Sequence, residues 1–177
     1  MTVGSPFNLR RFIDEHRDEL KPPVGNKMLY RDGDFLVMIV GGPNRRKDFH
    51  VEDGEEFFYQ LEGDITLRIL DDGKVREIPI REGEIFLLPP RVPHSPQRPE
   101  NTVGLVIERT RRDGERDHLV WYCESCGATL HDSSFELEDL GKQLKPIIES
   151  FYAAEQLRTC KKCGHVMSLP GSAPAPK

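Results

Sequence analysis

The chain has 177 residues, of which 37% are hydrophobic and 31% charged, and its formal net charge at pH 7 is -5. This composition is typical of a globular protein with one well-buried core and room for a small appendage. The negative charge gives no reason to expect nucleic acid or an anionic membrane surface as a partner. No apolar run approaches the roughly 20 residues that cross a bilayer, and the amino terminus lacks the features of a signal peptide. We therefore expect a cytoplasmic protein that binds neither membrane nor nucleic acid.

An amphipathic helix is predicted between Asn8 and Leu20, because apolar residues recur there at helical spacing among charged ones. Asn8 is a suitable N-cap, since its side chain can accept a hydrogen bond from a backbone N–H of the first turn. Pro22 and Pro23 end the helical pattern. We expect this helix to pack on the main body of the protein.

From Asn26 to Glu108 the chain has the pattern of short strands separated by turns. The apolar run Phe35–Val40 ends at a Gly-Gly-Pro sequence, as expected of a buried strand. Gly63 lies in one of the turns, where a positive φ is expected. Further strand-like runs cover residues 57–61, 65–70, 74–80, 84–88 and 103–108. Short strands with regular turns predict an antiparallel sandwich or barrel, so the expected fold is mainly β.

The last third of the chain has a different character. Residues 111–117 are charged and contain a glycine, and we interpret them as a solvated linker. A helix is predicted over residues 143–157, where apolar residues share one face and Pro146 would fall in the first turn. Residues 169–177 are rich in proline and are expected to be disordered. The predicted division is a first domain of residues 1–117, a second segment of residues 118–168 and a tail of residues 169–177.

The four cysteines of the chain form two C-x-x-C pairs, Cys123 with Cys126 and Cys160 with Cys163, each followed by glycine. In a reducing compartment this spacing indicates a metal site and not disulfides. Two such turns can aim four thiolates at one tetrahedral ion. Iron and zinc both accept four thiolates, so the spacing leaves the metal open. Free or redox-paired cysteines are the alternative. We expect a structural metal here.

A second set of candidate ligands lies in the strand-rich part of the chain. His50, Glu56 and His94 each stand beside a strand-like run. If the fold brings them together, two imidazoles and one carboxylate would hold Fe(II) and leave its other positions open for substrate and O2. Glu52 and Glu55 compete with Glu56 for the role of the carboxylate. Taken singly, a histidine such as His94 is as well explained by burial with satisfied hydrogen bonds.

The strand-rich part resembles the cupin superfamily of double-sheet jelly rolls. The first cupin motif places a glutamate before a six-residue gap and a glycine, which Glu56 and Gly63 match. The second motif runs from a glycine past a proline to a histidine, which Gly83, Pro89 and His94 match. The resemblance implies a jelly-roll barrel with a metal site inside it, preceded here by the amino-terminal helix and followed by the four-cysteine segment.

Two positions depart from the cupin motifs. Glu52 stands where the first motif has its second histidine, which lowers the expected ligand set from four residues to three. Arg91 and Arg98 stand where the second motif has a glycine and an asparagine. The arginine at position 98 suggests specialisation for an anionic substrate.

A narrower resemblance covers most of the chain, which is similar to the family of 3-hydroxyanthranilate 3,4-dioxygenases. It is carried by residues 21–26, 41–44, 56–61, 86–89, 94–98 and 106–108. The two cysteine pairs place the chain with the short bacterial and fungal forms, which carry a rubredoxin-like metal site. This resemblance implies a homodimer that uses Fe(II) and O2 to cleave 3-hydroxyanthranilate to 2-amino-3-carboxymuconate semialdehyde. The product belongs to the kynurenine pathway of tryptophan degradation and closes to quinolinate, which feeds NAD synthesis.

The same resemblance implies roles for individual residues. His50, Glu56 and His94 match the family's iron ligands, and Glu56 is also among its substrate-binding residues.

The remaining matched residues bind the substrate. Arg46 and Arg98 match the clamp on the substrate carboxylate, and Arg46 also matches an O2-binding residue. Arg46 stands in a basic run with Arg45 and Lys47, so a solvated charge is the alternative for it. Glu108 matches the catalytic acidic residue near the substrate hydroxyl.

Two other functions stay open from the sequence. One is a cupin dioxygenase that acts on another hydroxylated aromatic acid. The other is a zinc-ribbon interaction module attached to an inactive cupin. The acidic balance of the chain and the lack of a clustered basic and aromatic face argue against a nucleic-acid module.

Overall fold

The computed structural model describes residues 4–21, 25–44, 46–138 and 140–170. Eleven strands lie in this part of the chain. Their bounds are β1 (Asn26–Tyr30), β2 (Phe35–Gly41), β3 (Phe49–Val51), β4 (Glu56–Glu62), β5 (Ile65–Asp71), β6 (Lys74–Ile80), β7 (Ile85–Leu88), β8 (His94–Gln97), β9 (Val103–Arg109), β10 (Asp117–Tyr122) and β11 (Thr129–Phe135).

The strands form two antiparallel sheets. The first has the order β1-β2-β9-β4-β7, and the second has the order β11-β10-β3-β8-β5-β6. Successive strands from β2 to β9 pass back and forth between the sheets, with only β5 and β6 joined as neighbours in one sheet. This winding is that of a double-sheet jelly roll. The predicted mainly β fold of the cupin type is confirmed.

The main core lies between the two sheets. Along β4 and β5 every second side chain is buried, which is the period of a strand with one face toward a core. The buried apolar residues come from both sheets and are Met38, Phe58, Ile65, Leu67, Ile69, Ile80, Leu88 and Val106. Because alternate side chains of β3, β4, β8 and β9 also point into this space, polar residues on those strands can meet inside the barrel.

The amino-terminal helix is shorter than predicted. Helix α1 (Leu9–Glu15) is followed by a 3-10 turn over Arg17–Leu20. The Asn8 side chain accepts a hydrogen bond from the Arg11 N–H at 2.9 Å, so the predicted N-cap is confirmed. Ile13 and Leu20 are buried on the outer face of the first sheet. The two prolines predicted to end the helix, at positions 22 and 23, lie outside the described residues.

Beyond the jelly roll, β10 and β11 extend the second sheet, with β10 paired to β3. The helices α2 (Leu140–Ala153) and α3 (Glu155–Arg158) follow. Pro146 lies inside α2 and not in its first turn, because the helix begins three residues earlier than predicted. The ring of Phe151 on α2 stacks on Trp121 of β10, with centroids 4.1 Å apart. None of the described helices is long and apolar enough to span a membrane.

The prediction that residues 111–117 form a solvated linker is wrong for two of these residues. The side chain of Arg111 is only 7% exposed, and Asp117 is fully buried as the first residue of β10. Residues 112–114 between them are exposed, as expected. The division of the chain after residue 117 stays a prediction, and it would separate β10 from the strand with which it pairs. Residues 171–177 of the predicted tail lie outside the described residues.

Candidate active site

Three strands bring His50, Glu56 and His94 together inside the barrel. His50 on β3 lies directly opposite His94 on β8, and Glu56 begins β4. One ligand atom of each residue lies within 4.8 Å of the others, and all three residues are buried. The cross-strand pairing therefore produces the convergence that their spacing in the chain leaves open.

The hydrogen bonds of the two histidines direct one lone pair of each toward this point. His94 Nδ1 lies 3.0 Å from the Val92 carbonyl, so it donates there and Nε2 keeps its lone pair. His50 Nε2 lies 2.7 Å from Asp117 Oδ2, which leaves Nδ1 free. Glu56 Oε2 is 2.7 Å from His94 Nε2 yet makes no hydrogen bond of good geometry. Two imidazole nitrogens and an unsatisfied carboxylate oxygen fit a divalent transition metal.

Burial and neighbouring charges set the protonation of these groups. Burial lowers the pKa of His50, although the hydrogen bond to Asp117 opposes it. This favours the neutral imidazole that a metal requires. Burial acts against charge on both Glu56 and His94. Their mutual attraction outweighs it, lowering the pKa of Glu56 and raising that of His94.

A buried charge network, which the sequence did not indicate, adjoins the three residues. Arg111 donates from Nε and Nη2 to the two oxygens of Asp117, at 2.7 and 2.6 Å. Its Nη1 lies 2.6 Å from Glu52 Oε2 and 2.9 Å from Glu108 Oε2. Asp117 in turn holds His50. The sequence places Arg111 and Asp117 in a charged, glycine-containing run, and nothing in that pattern distinguishes a buried arginine from a solvated one.

The carboxylates in this network outnumber its single arginine. Burial, and then the charge of Glu108, raise the pKa of Glu52 to about 10. Burial, and then the charge of Glu56, raise the pKa of Glu108 to about 7. Glu52 lies within 4.8 Å of Glu56 and Glu108 and not in the group with the histidines. Of the two competitors for the carboxylate ligand, Glu52 is held beside Arg111, and Glu55 is exposed.

The three candidate metal ligands line a cavity of about 80 Å³ inside the barrel. Arg46, Arg98 and Glu108 open into the same cavity as His50, Glu56 and His94. The other lining residues are Asn26, Met38, Val40, Asn44, Phe58, Pro96, Val106 and Leu144. The structure thus gathers every residue predicted for the iron and for the substrate into one space, and a helix of the four-cysteine segment supplies one wall of it.

Arg98 is a buried cation with no ion-pair partner among the described residues. It is 2% exposed, its Nε has no hydrogen-bond partner, and Nη1 donates to Gln60 Oε1 at 3.4 Å. Burial lowers the pKa of Arg98 to about 10, with a smaller opposing effect of Glu56. Gly104 makes room for it, because a Cβ there would lie 2.9 Å from Arg98 Nη1. An unpaired buried guanidinium is costly, and a carboxylate bound in the cavity would relieve that cost.

Arg46 has a partner within the chain. Its Nε lies 2.9 Å from Asp48 Oδ2, and Nη2 contacts the same oxygen. The Arg46 side chain is 21% exposed and Asp48 is buried, so Arg46 is not the solvated charge that the basic run allowed. Arg45, its neighbour in that run, lies outside the described residues.

The four cysteines form a second cluster beyond the barrel. The Sγ atoms of Cys123 and Cys163 are 3.6 Å apart, and so are those of Cys126 and Cys160. The N–H of Gly127 donates to the Cys123 carbonyl at 2.9 Å, and the second turn repeats this bond. Both glycines after the turns have positive φ, which explains why glycine stands there. Four sulfurs at these distances fit one tetrahedral ion. The cluster includes neither His131 nor His165.

The jelly roll and the buried cluster of two histidines and a glutamate define a cupin with a candidate metal centre. The family model described as 3-hydroxyanthranilic acid dioxygenase matches residues 1–152. The chain belongs to this family.

Named relatives cover nearly the whole chain. The 3-hydroxyanthranilate 3,4-dioxygenase of Xanthomonas campestris pv. campestris (strain B100) is 53% identical over 165 residues, which are 93% of each chain. That of Jannaschia sp. (strain CCS1) is 53% identical over 171 residues, covering 96% of this chain and 94% of the relative. Among solved structures, a cupin-2 domain protein from Shewanella frigidimarina NCIMB 400 aligns at 21% identity with a TM-score of 0.42, over 48% of this chain and 79% of that chain.

Proposed function

We propose that the protein catalyses the cleavage of 3-hydroxyanthranilate by O2 to 2-amino-3-carboxymuconate semialdehyde. The observation that carries this proposal is one cavity that holds both the cluster of His50, Glu56 and His94 and the unpaired cation Arg98. A metal site beside a buried guanidinium suits an aromatic substrate with metal-binding groups at one edge and a carboxylate nearby. Membership of the 3-hydroxyanthranilic acid dioxygenase family supports the same reaction. The product then closes to quinolinate, a precursor of NAD.

The residues that would hold Fe(II) are His50, Glu56 and His94. When bound, the metal supplies coordination positions at which substrate and O2 are activated side by side. The chain's own contribution is to orient both imidazoles, through Asp117 on one and the Val92 carbonyl on the other.

Two arginines would bind the substrate carboxylate. Arg98 is the stronger candidate, because its buried charge has no anion within ion-pair distance among the described residues. Arg46 is held by Asp48 and stands at the wall of the same cavity, where it also serves the O2 position. A planar guanidinium matches a carboxylate in two parallel hydrogen bonds, which would fix the orientation of the bound ring.

Glu108 would accept the proton of the substrate hydroxyl. It lies opposite Glu56 on the neighbouring strand, and its Oε2 has no hydrogen bond of good geometry. Transfer of the hydroxyl proton to Glu108 would leave the phenolate oxygen free to bind, and Arg111 stabilises the carboxylate form of Glu108 that accepts the proton. Glu56, which lines the same cavity, would contact the substrate as well as the metal.

The reaction is tested by adding 3-hydroxyanthranilate to Fe(II)-loaded protein and following O2 uptake together with the absorbance of the semialdehyde. Uptake of one O2 per substrate with formation of the semialdehyde is expected. A folded, iron-loaded protein that takes up no O2 would contradict the proposal. A panel of hydroxylated aromatic acids tests the alternative substrate, since an acid whose carboxylate does not reach Arg98 should bind poorly.

We propose a structural role for the four-cysteine site, which would hold iron or zinc. Its sulfurs lie outside the cavity. One of the two turns follows β10 and the other follows α3, so a shared metal would link these two parts of the chain. The segment of residues 118–168 would then fold around this metal as an appendage of the jelly roll of residues 1–117. Metal analysis of protein purified without added metal distinguishes two irons from one iron and one zinc.

We further propose that the protein is a homodimer in the cytoplasm. Apolar side chains on the outer face of the first sheet stay uncovered by α1, and Phe35, Ile85 and Leu87 are 59%, 65% and 53% exposed. Phe57 and Ile107 lie between them on the same face. A second copy of the chain would bury this patch. The cytoplasm is the compartment that keeps four thiolates reduced for a metal.

A further inference from the structure

A short segment of chain lies between the cavity and the four-cysteine segment. Arg46 borders the cavity, and Lys47, the next residue, turns toward the four-cysteine segment. Lys47 Nζ lies 2.9 Å from Glu124 Oε1 and donates to the Oγ and the carbonyl of Ser168 at 2.8 and 3.1 Å. Its side chain is only 19% exposed. Lys47 thus makes two hydrogen bonds to Ser168 and one ion pair with Glu124.

The two residues that contact Lys47 belong to the four-cysteine segment. Glu124 stands between Cys123 and Cys126 in the first turn. Ser168 follows Met167, whose N–H donates to the Arg158 carbonyl at 3.0 Å and whose carbonyl accepts from Arg158 Nη1 at 2.7 Å. Lys47 is therefore tied to both ends of the four-cysteine segment.

The jelly roll holds the same short segment from its other side. The Arg46 carbonyl accepts a hydrogen bond from Gln97 Nε2 at 3.0 Å. Gln97 precedes Arg98, and the backbone of Arg98 pairs with Asn44 at 2.8 and 2.9 Å. Asp48 holds the side chain of Arg46, while the backbone at Arg46 and Lys47 has one anchor in the jelly roll and one in the four-cysteine segment.

We propose that Lys47 is a positioning residue that keeps Arg46 facing the substrate carboxylate by tying its segment to the four-cysteine segment. The inference rests on the proposed function, because it takes Arg46 as a carboxylate ligand. It gives the four-cysteine segment a part in substrate binding in addition to stability. Losing the contacts of Lys47 should weaken binding of the carboxylate more than it slows the chemistry at the metal, because Arg46 keeps its ion pair with Asp48.

Two variants break the tie from opposite sides. Lys47→Met removes the ammonium and keeps an unbranched side chain of nearly the same length. Glu124→Gln removes its charged partner without changing a cysteine. Binding to Fe(II)-loaded protein is measured by calorimetry without O2, using 3-hydroxyanthranilate and 2-aminophenol, the same ring without its carboxylate. Kd for 3-hydroxyanthranilate is expected to rise about tenfold in Lys47→Met and less in Glu124→Gln. Kd for 2-aminophenol is expected to stay the same.

Steady-state kinetics give a second measurement that does not need the analogue. KM for 3-hydroxyanthranilate should rise by the same factor while kcat stays within about twofold of the wild type. Unchanged Kd and KM in both variants would overturn the inference, and so would an equal loss of binding for both ligands. If the wild-type protein does not turn over 3-hydroxyanthranilate at all, the proposed function fails first. If the wild-type protein turns over 3-hydroxyanthranilate normally and both variants bind it as tightly as the wild type, the inference about Lys47 fails while the proposed function stands.

Discussion

At the scale of single residues, the site depends on charges that the fold buries and pairs unequally. Arg111 faces three acidic side chains, whereas Arg98 faces none within the described part of the chain. The first arrangement holds the ligand residues in place through Asp117. Arg98, by contrast, is a cation whose charge must be neutralised by a bound molecule. Stability and function are thus served by different arginines.

Asp117 should control how tightly the metal binds. In Asp117→Asn the amide can donate to His50 Nε2, which would favour the tautomer with its proton on the nitrogen that faces the metal. We expect the affinity for Fe(II), measured by competition with a chelator, to fall about 10- to 100-fold. Asp132→Asn is the matched control, because Asp132 contacts His118 in the same way at the surface. A wild-type affinity in Asp117→Asn would show that this contact does not orient the ligand.

Arg98 should be needed for the substrate and not for the fold. Replacing it by methionine, an unbranched apolar side chain, removes an unpaired buried charge, so the free energy of unfolding should not fall. Loss of a bidentate carboxylate contact should lower kcat/KM about 100-fold or more. Urea denaturation and initial rates measure the two effects. A variant that is both destabilised and fully active would reverse the role assigned to Arg98.

At the scale of elements, the ligands converge because short strands pair across the barrel. His50 and His94 are neighbours only through the pairing of β3 with β8, and Glu56 and Glu108 only through that of β4 with β9. The apolar strands were predictable from their pattern, since β2, β4, β5 and β9 bury alternate or continuous apolar residues. β3 and β8 were not predicted, because runs of only three and four residues are too short to show a period.

The cupin frame and the motifs around Glu56 and His94 allowed the site to be predicted before its geometry was known. Arg111 and Asp117 could not be predicted, since their burial depends on β10 joining the second sheet beside β3. The helix over residues 143–157 was predicted from its apolar face, but its start at Leu140 was missed because Pro146 suggested a first turn.

The four-cysteine site should govern the stability of the carboxy-terminal elements. Cys160→Ser removes one thiolate and so weakens binding of the metal that links the two turns. Since the binding of a structural metal contributes to the free energy of folding, we expect Tm to fall by roughly 6 °C or more. Turnover per bound iron in the protein that remains folded should fall much less. Ser125→Ala, in the same turn but without a sulfur, is the control. Lost turnover with an unchanged Tm would contradict a structural role.

At the scale of the whole molecule, the outer face of the first sheet should be a contact between two copies. Leu87→Lys places a charge in the exposed apolar patch. The wild type should therefore elute with the mass of two chains and the variant with the mass of one. Light scattering after size exclusion measures the mass. Val75→Lys is the control, because Val75 is also exposed but lies on β6 of the second sheet. A monomeric wild type, or a dimeric Leu87→Lys variant, would place the contact elsewhere or exclude it.

The proposed reaction depends on one iron at His50, Glu56 and His94. The most direct measurement is a titration of metal-free protein with Fe(II), with O2 uptake in the presence of 3-hydroxyanthranilate measured at each step. Activity should rise in proportion to iron until the barrel site is filled, and His94→Ala, which leaves the four-cysteine site intact, should stay inactive at every iron concentration. Turnover by His94→Ala at the wild-type rate would contradict the assignment of the site.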